Sequence, residues 1–112
     1  MKLSLKVLDG NTGVIATLPG PYLDVSNSKA FSQALQPVLE GYPAVILDLR
    51  NIEFIDSSGL GSLLSCLRAM NAKSGDLRLC GMCKPVQAMF ELVRMHRLFA
   101  IYNTEEEATA TL

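Results

Sequence analysis

The chain has 112 residues, 49% of them hydrophobic and 19% charged, with a formal net charge of −1. That is the size of one ordinary domain, apolar enough to fold around a single core, which argues against disorder. A charge near zero with no basic run argues against nucleic acid as a partner.

The first stretch, "KLSLKVL", alternates Leu3, Leu5 and Val7 with Lys2, Ser4 and Lys6. Period two predicts a half-buried strand. The same alternation denies the N-terminus the unbroken apolar region of a signal peptide. No other stretch reaches the roughly 20 apolar residues of a membrane helix. The expectation is a soluble, cytoplasmic protein with no membrane partner. "DGNTG" is turn chemistry, and "VIATL" is the predicted hairpin partner of the first strand.

Phe31, Ala34, Leu35, Val38 and Leu39 follow helical spacing. Ser26, Asn27 or Ser28 can cap that helix. Pro37 within it is expected to kink or shorten the last turn. "AVILDL" is a continuous apolar run, the pattern of a central strand covered on both faces. Asp48 interrupts it and is read as the point where the strand nears the surface.

"FIDSSGLGSLL" (54–64) then runs from a strand into a helix carrying Leu60, Leu63, Leu64, Leu67 and Met70 at helical spacing. "DLRLCG" predicts a short strand. "KPVQAMFELVRM" predicts a third helix with Pro85 in its first turn and Val86, Met89, Phe90 and Val93 on one face. "LFAIY" predicts a last strand. Thr104 and Glu107 form a capping box for a final helix, whose Glu105 to Glu107 are read as a solvated first turn. No linker or repeat divides residues 1–112, so one domain is expected. Its class is α/β: a mixed, mostly parallel sheet with an N-terminal β-hairpin and about four helices packed chiefly on one face.

Several chemistries are testable on spacing alone. Ser57 and Ser58 lack the Gly-x-Ser-x-Gly setting of a hydrolase nucleophile, and the single histidine, His96, falls late in the third helix. There it suits a helix C-terminus better than a catalytic base. Gly59-x-Gly61 has neither the third glycine nor the lysine of a phosphate loop. Gly61 is instead expected where helix packs on sheet. Cys80-x-x-Cys83 has the spacing of a redox pair, but no tryptophan precedes it and no second pair completes a zinc site. Three cysteines, an odd number, make no disulfide framework. Asp24 reads as a cap or Asx turn before the first helix. Asp56 closes the strand leading into the serines, one of which can serve as a simple N-cap.

The stretch Asp56-Ser57-Ser58-Gly59-Leu60-Gly61 resembles the signature of the anti-sigma factor antagonists, a family built on the STAS domain. "LPGPYLD", "AVILDLRNIEFID" and "DLRLCGMCKPVQAMFEL" extend the resemblance over almost the whole chain. Pro21-Tyr22 stand where the family usually has a glutamate, and Met95-His96-Arg97-Leu98 where it often has Ser/Thr-Gly-Leu. The resemblance implies a STAS-like fold and a protein-binding phospho-switch, not an enzyme, acting as a monomer with no cofactor and no metal. It implies phosphorylation at Ser57 by a partner that is both anti-sigma factor and serine kinase, with a histidine-kinase-like ATPase fold. A PP2C-type serine phosphatase would reverse the modification. Asp24, Asp56, Ser57, Ser58, Gly59, Leu60 and Gly61 would form the partner-binding surface. The alternatives are a STAS subunit of a lipid-transport or signalling scaffold complex, and a thiol oxidoreductase using Cys80 and Cys83.

Overall fold

A computed structural model describes residues 1–112. Strands β1 (Ser4–Val7) and β2 (Val14–Thr17) form the expected antiparallel hairpin, with Leu5 opposite Ala16 and Val7 opposite Val14. β3 (Tyr22–Leu23) and helix α1 (Ser28–Gly41) precede the central strand β4 (Ala44–Asp48). After β5 (Phe54–Ile55) come α2 (Ser57–Ala72), β6 (Asp76–Cys80), α3 (Lys84–Leu92), β7 (Ala100–Tyr102) and α4 (Glu105–Thr109). The main sheet has the order β1-β2-β4-β6-β7, parallel from β2 onward. β3 and β5 pair separately as a two-stranded parallel ribbon.

Side-chain alternation divides the core. Val14, Ala16, Val45, Leu47, Leu77 and Leu79 point to one face and meet Phe31 and Leu35 of α1, Leu63 and Met70 of α2, and Val86 and Phe90 of α3. Phe90 and Phe99 pack edge-on, ring centres 5.8 Å apart. The alternate residues Ile15, Ile46 and Cys80 point to the other face, where Ala108 of α4 covers them. β4 is therefore buried on both faces, as its unbroken apolar run requires. Three helices lie on one face and one on the other, a STAS-like α/β arrangement.

Four details differ from the sequence reading. β1 is exposed along its whole length, with Leu5 and Val7 about half exposed, because it is an edge strand beyond the helix layer. Pro37 does not break α1, which runs on to Gly41. Asp48 is buried, 2% exposed, at the end of β4 rather than at the surface. Finally, α3 stops at Leu92; the chain turns at Arg94, in the left-handed region with φ 61°, and His96 lies in the 3₁₀ turn Met95–Arg97.

Candidate functional site

The β5–α2 junction is built around Asp56, not around a serine. Its carboxylate accepts the Gly59 backbone N–H at 2.9 Å, which makes it the N-cap of α2. The other carboxylate oxygen accepts the Val25 N–H at 3.0 Å. Asp56 thereby ties the start of α2 to the loop between β3 and α1. Donation from Gly59, and then from Val25, holds its carboxyl below the usual aspartate range. The expectation that Ser57 or Ser58 caps the helix is corrected: the aspartate does so, and both hydroxyls are left out of the cap. Ser57, the first residue of α2, is exposed, and Ser58 is half-buried.

The two glycines have opposite roles. At Gly59 a Cβ would sit 2.2 Å from the Leu23 carbonyl oxygen and 2.7 Å from Ile55 Cγ1, so only glycine lets α2 lie this close to the β3–β5 ribbon. At Gly61 a Cβ would meet nothing within 4 Å, and the residue is exposed. The expectation that Gly61 packs helix on sheet is thus corrected; that residue is Gly59. Leu60 is 3% exposed and sends its side chain into the core. Of the six signature residues, Ser57 and Gly61 are the exposed ones, with Asp56 and Ser58 half-buried beside them.

Asp24 lies on the neighbouring loop. Its Oδ1 accepts Ser26 N–H at 2.9 Å and Ser26 Oγ–H at 2.5 Å, an Asx turn as expected. Asn27 precedes α1 but spends its side chain on the loop: Oδ1 accepts from Asp24 N, and Nδ2 donates to the Tyr22 carbonyl. The fold therefore brings the Asp24 and Asp56 loops together, side by side. Around them Tyr22, Val25 and Phe54 are 43%, 74% and 56% exposed. Tyr22 and Phe54 are register partners across the ribbon and share its outer side. Sequence reasoning missed Val25 and Phe54; the signal was the Phe54-Ile55 pair, of which a strand with one solvated face buries only one.

A second charged group sits at the end of β4. Arg50 donates from Nε (2.9 Å) and Nη2 (2.6 Å) to Asp48 Oδ2, and Nη2 also reaches Glu105. Lys6 lies 3.8 Å from Glu105. Burial opposes charge on Asp48, but hydrogen bonding with Glu105 and Arg50 leaves its carboxyl below the ordinary value. Asp48 beside it holds Glu105 above its own. Glu105 is thus an anchored residue of α4, correcting its reading as simply solvated. Asp48 and Arg50, with Gly81 and residues 103–106, line a polar cavity of about 310 Å³.

The cysteines do not make a redox pair in character. Cys66 and Cys80 are buried, and burial pushes both thiols up to about 12; Asp48 and Glu105 add to the effect at Cys80. A reactive thiol needs the opposite shift. Cys83 is half-buried at the start of α3 and donates its thiol to the Ile52 carbonyl at 3.3 Å. No group of three or more His, Cys, Asp or Glu side chains could hold a metal ion. His96 makes no hydrogen bond to either serine and instead lines a cavity with Gln87, Phe90, Glu91 and Asn103.

The α/β sheet carries an exposed serine at an acidic, apolar-rimmed helix start. A family model described as the STAS domain matches residues 2–108, and the chain belongs to that family. The anti-sigma F factor antagonist of Paenibacillus polymyxa is 32% identical over 68 residues, which span 61% of this chain and 58% of that relative. A crystal structure of a candidate anti-sigma factor antagonist from Thermotoga maritima superposes with a TM-score of 0.88 at 27% identity, covering 97% of this chain and 92% of that one. The Bacillus cell fate determinant SpoIIAA in its phosphorylated form shares the fold, with a TM-score of 0.71 at 20% identity over 98% of both chains.

Proposed function

We propose that this protein is an anti-sigma factor antagonist whose binding surface is switched by phosphorylation of Ser57. The observation that carries the reading is the division of labour at the helix start. Asp56 caps α2, so the exposed Ser57 hydroxyl has no structural duty and is free for modification. The names of the relatives, and the existence of SpoIIAA in a phosphorylated form, support it.

Unphosphorylated, the surface of Asp24, Asp56, Ser57, Ser58 and Gly61, rimmed by Tyr22, Val25 and Phe54, binds an anti-sigma factor and frees its sigma factor. Gly59 and Leu60 shape this surface from below. The anti-sigma factor is also the serine kinase, with a histidine-kinase-like ATPase fold; it supplies the ATP. A PP2C-type phosphatase restores the hydroxyl.

The physics suits a switch that leaves the fold alone. Phosphate adds about −1.5 to −2 charge at neutral pH. The α2 N-terminus tolerates that charge through its dipole and free N–H groups. A partner shaped for a neutral hydroxyl beside two carboxylates then meets a strongly anionic patch. Two unit charges at ~6 Å with an effective dielectric constant of ~20 repel by about 3 kcal/mol, roughly a hundredfold in affinity.

Incubation with the cognate kinase and ATP, followed by mass spectrometry, tests the site: phosphate is expected on Ser57. No phosphate on Ser57, with partner binding intact, would assign the chain to a scaffold role instead. Ser57→Ala should bind the partner constitutively and Ser57→Asp weakly.

A further inference from the structure

We propose that residues 92–98, between α3 and β7, form a docking knuckle for an anionic lipid bilayer. They are separate in the chain from the β5–α2 junction that carries Ser57.

Every residue from Glu91 to Leu98 is exposed except Met95, which is half-buried and packs on the core as an inward pin. Leu92, Val93 and Leu98 are 76%, 48% and 55% exposed. Interleaved with them are Arg94, His96 and Arg97. The four ion pairs of the protein all lie elsewhere, and neither guanidinium is engaged by a carboxylate. Glu91 is the acidic neighbour on the preceding turn.

The backbone supplies an independent observation. Arg94 has φ 61°, at the position after a helix where glycine adopts the left-handed region without a steric penalty. An arginine is held there in a conformation that disfavours it, at a point where it projects from the turn.

Exposed aliphatic side chains beside unpaired guanidiniums on a tight turn match a headgroup layer: cations meet the negative surface potential, and Leu and Val enter the acyl boundary. Such a potential is diffuse and needs no fixed partner geometry. Composition concealed the feature, because the arginines are spread among apolar residues rather than forming a basic run. The sequence-based expectation of no membrane partner concerned spanning segments, and no helix is long and apolar enough to cross a membrane.

Co-sedimentation with phosphatidylcholine vesicles, with and without phosphatidylglycerol, tests the proposal. Binding is expected to the phosphatidylglycerol vesicles and to weaken with salt. Arg94→Glu with Arg97→Glu should reduce it at least about thirtyfold, from the attraction of two arginines. Leu92→Ser with Leu98→Ser should also weaken it. Arg94→Gly makes the most telling variant: it relaxes the backbone, so the melting temperature should hold or rise while vesicle binding falls about fivefold. Equal sedimentation with both vesicle types, or binding unchanged by the double charge reversal, overturns the proposal and leaves an acidic protein surface as the occupant.

Discussion

At residue scale, the site turns on which atom does which job. Gly59 and Gly61 look alike in sequence but face a backbone carbonyl and open solvent respectively. Gly61→Ala should stabilise the protein by about 0.5–1 kcal/mol, as expected at an open helix position. Gly59→Ala should destabilise it by about 1–3 kcal/mol, because the obstacle is backbone and cannot rotate away. Thermal denaturation of the two variants checks the contrast; equal effects would contradict the packing described. Asp56 adds a pH signature. Its carboxyl is held below the ordinary value, so its stabilising contribution is complete above the ordinary aspartate pKa of 3.8 and is lost as pH falls through the depressed one. The difference in melting temperature between wild type and Asp56→Asn should be flat from neutral pH to about pH 5 and shrink in stronger acid. A difference that shrinks between pH 7 and 5 would contradict the assignment. The signature DSSGLG marked the strand-to-helix junction in the sequence. It could not show that the aspartate caps, since Asp and Ser are equally good N-caps and the deciding partner, Val25, is 31 residues away.

At the scale of elements, α4 is a short helix held by one buried cation. Arg78 is 8% exposed on the strand face that α4 covers. It donates to Asp76, to the Ala108 carbonyl at 2.9 Å and to Thr111 Oγ1 at 2.7 Å, and its guanidinium lies 5.6 Å from the Tyr102 ring centre. Arg78→Met should release the last turn of the chain and cost about 1.5–3 kcal/mol, the range for hydrogen bonds from a charged group. Hydrogen exchange should then accelerate at residues 108–112 while β4 stays protected; uniform loss of protection would contradict this local role. The capping box of α4 was readable, and Thr104 Oγ1 accepts the Glu107 N–H at 3.1 Å. The β3–β5 ribbon was not, since strands of two residues carry no periodicity. The end of α3 was misplaced because the apolar spacing continues through Val93 with no glycine to mark the turn.

For the whole molecule, the N-terminal hairpin, the mostly parallel sheet and the crowded helix face followed from alternating β and α patterns joined by right-handed crossovers. What patterning could not supply was the exposure of β1, which depends on where the helix layer ends. The element order puts the Ser57 surface at the β5–α2 junction and residues 92–98 between α3 and β7. It also sets the cysteines apart: an alkylating reagent should modify Cys83 in the native protein and leave Cys66 and Cys80 untouched until unfolding, as buried thiols pushed up to about 12 stay protonated. Rapid native labelling of Cys80 would revive the redox reading. In the proposed switch, charge at Ser57, not a change of fold, ends partner binding. Its most direct test is calorimetric titration of the anti-sigma factor kinase with the protein before and after phosphorylation at Ser57. About a hundredfold loss of affinity is expected, with circular dichroism and melting temperature nearly unchanged. Equal affinity for the two forms, or a loss accompanied by unfolding of α2, would contradict it.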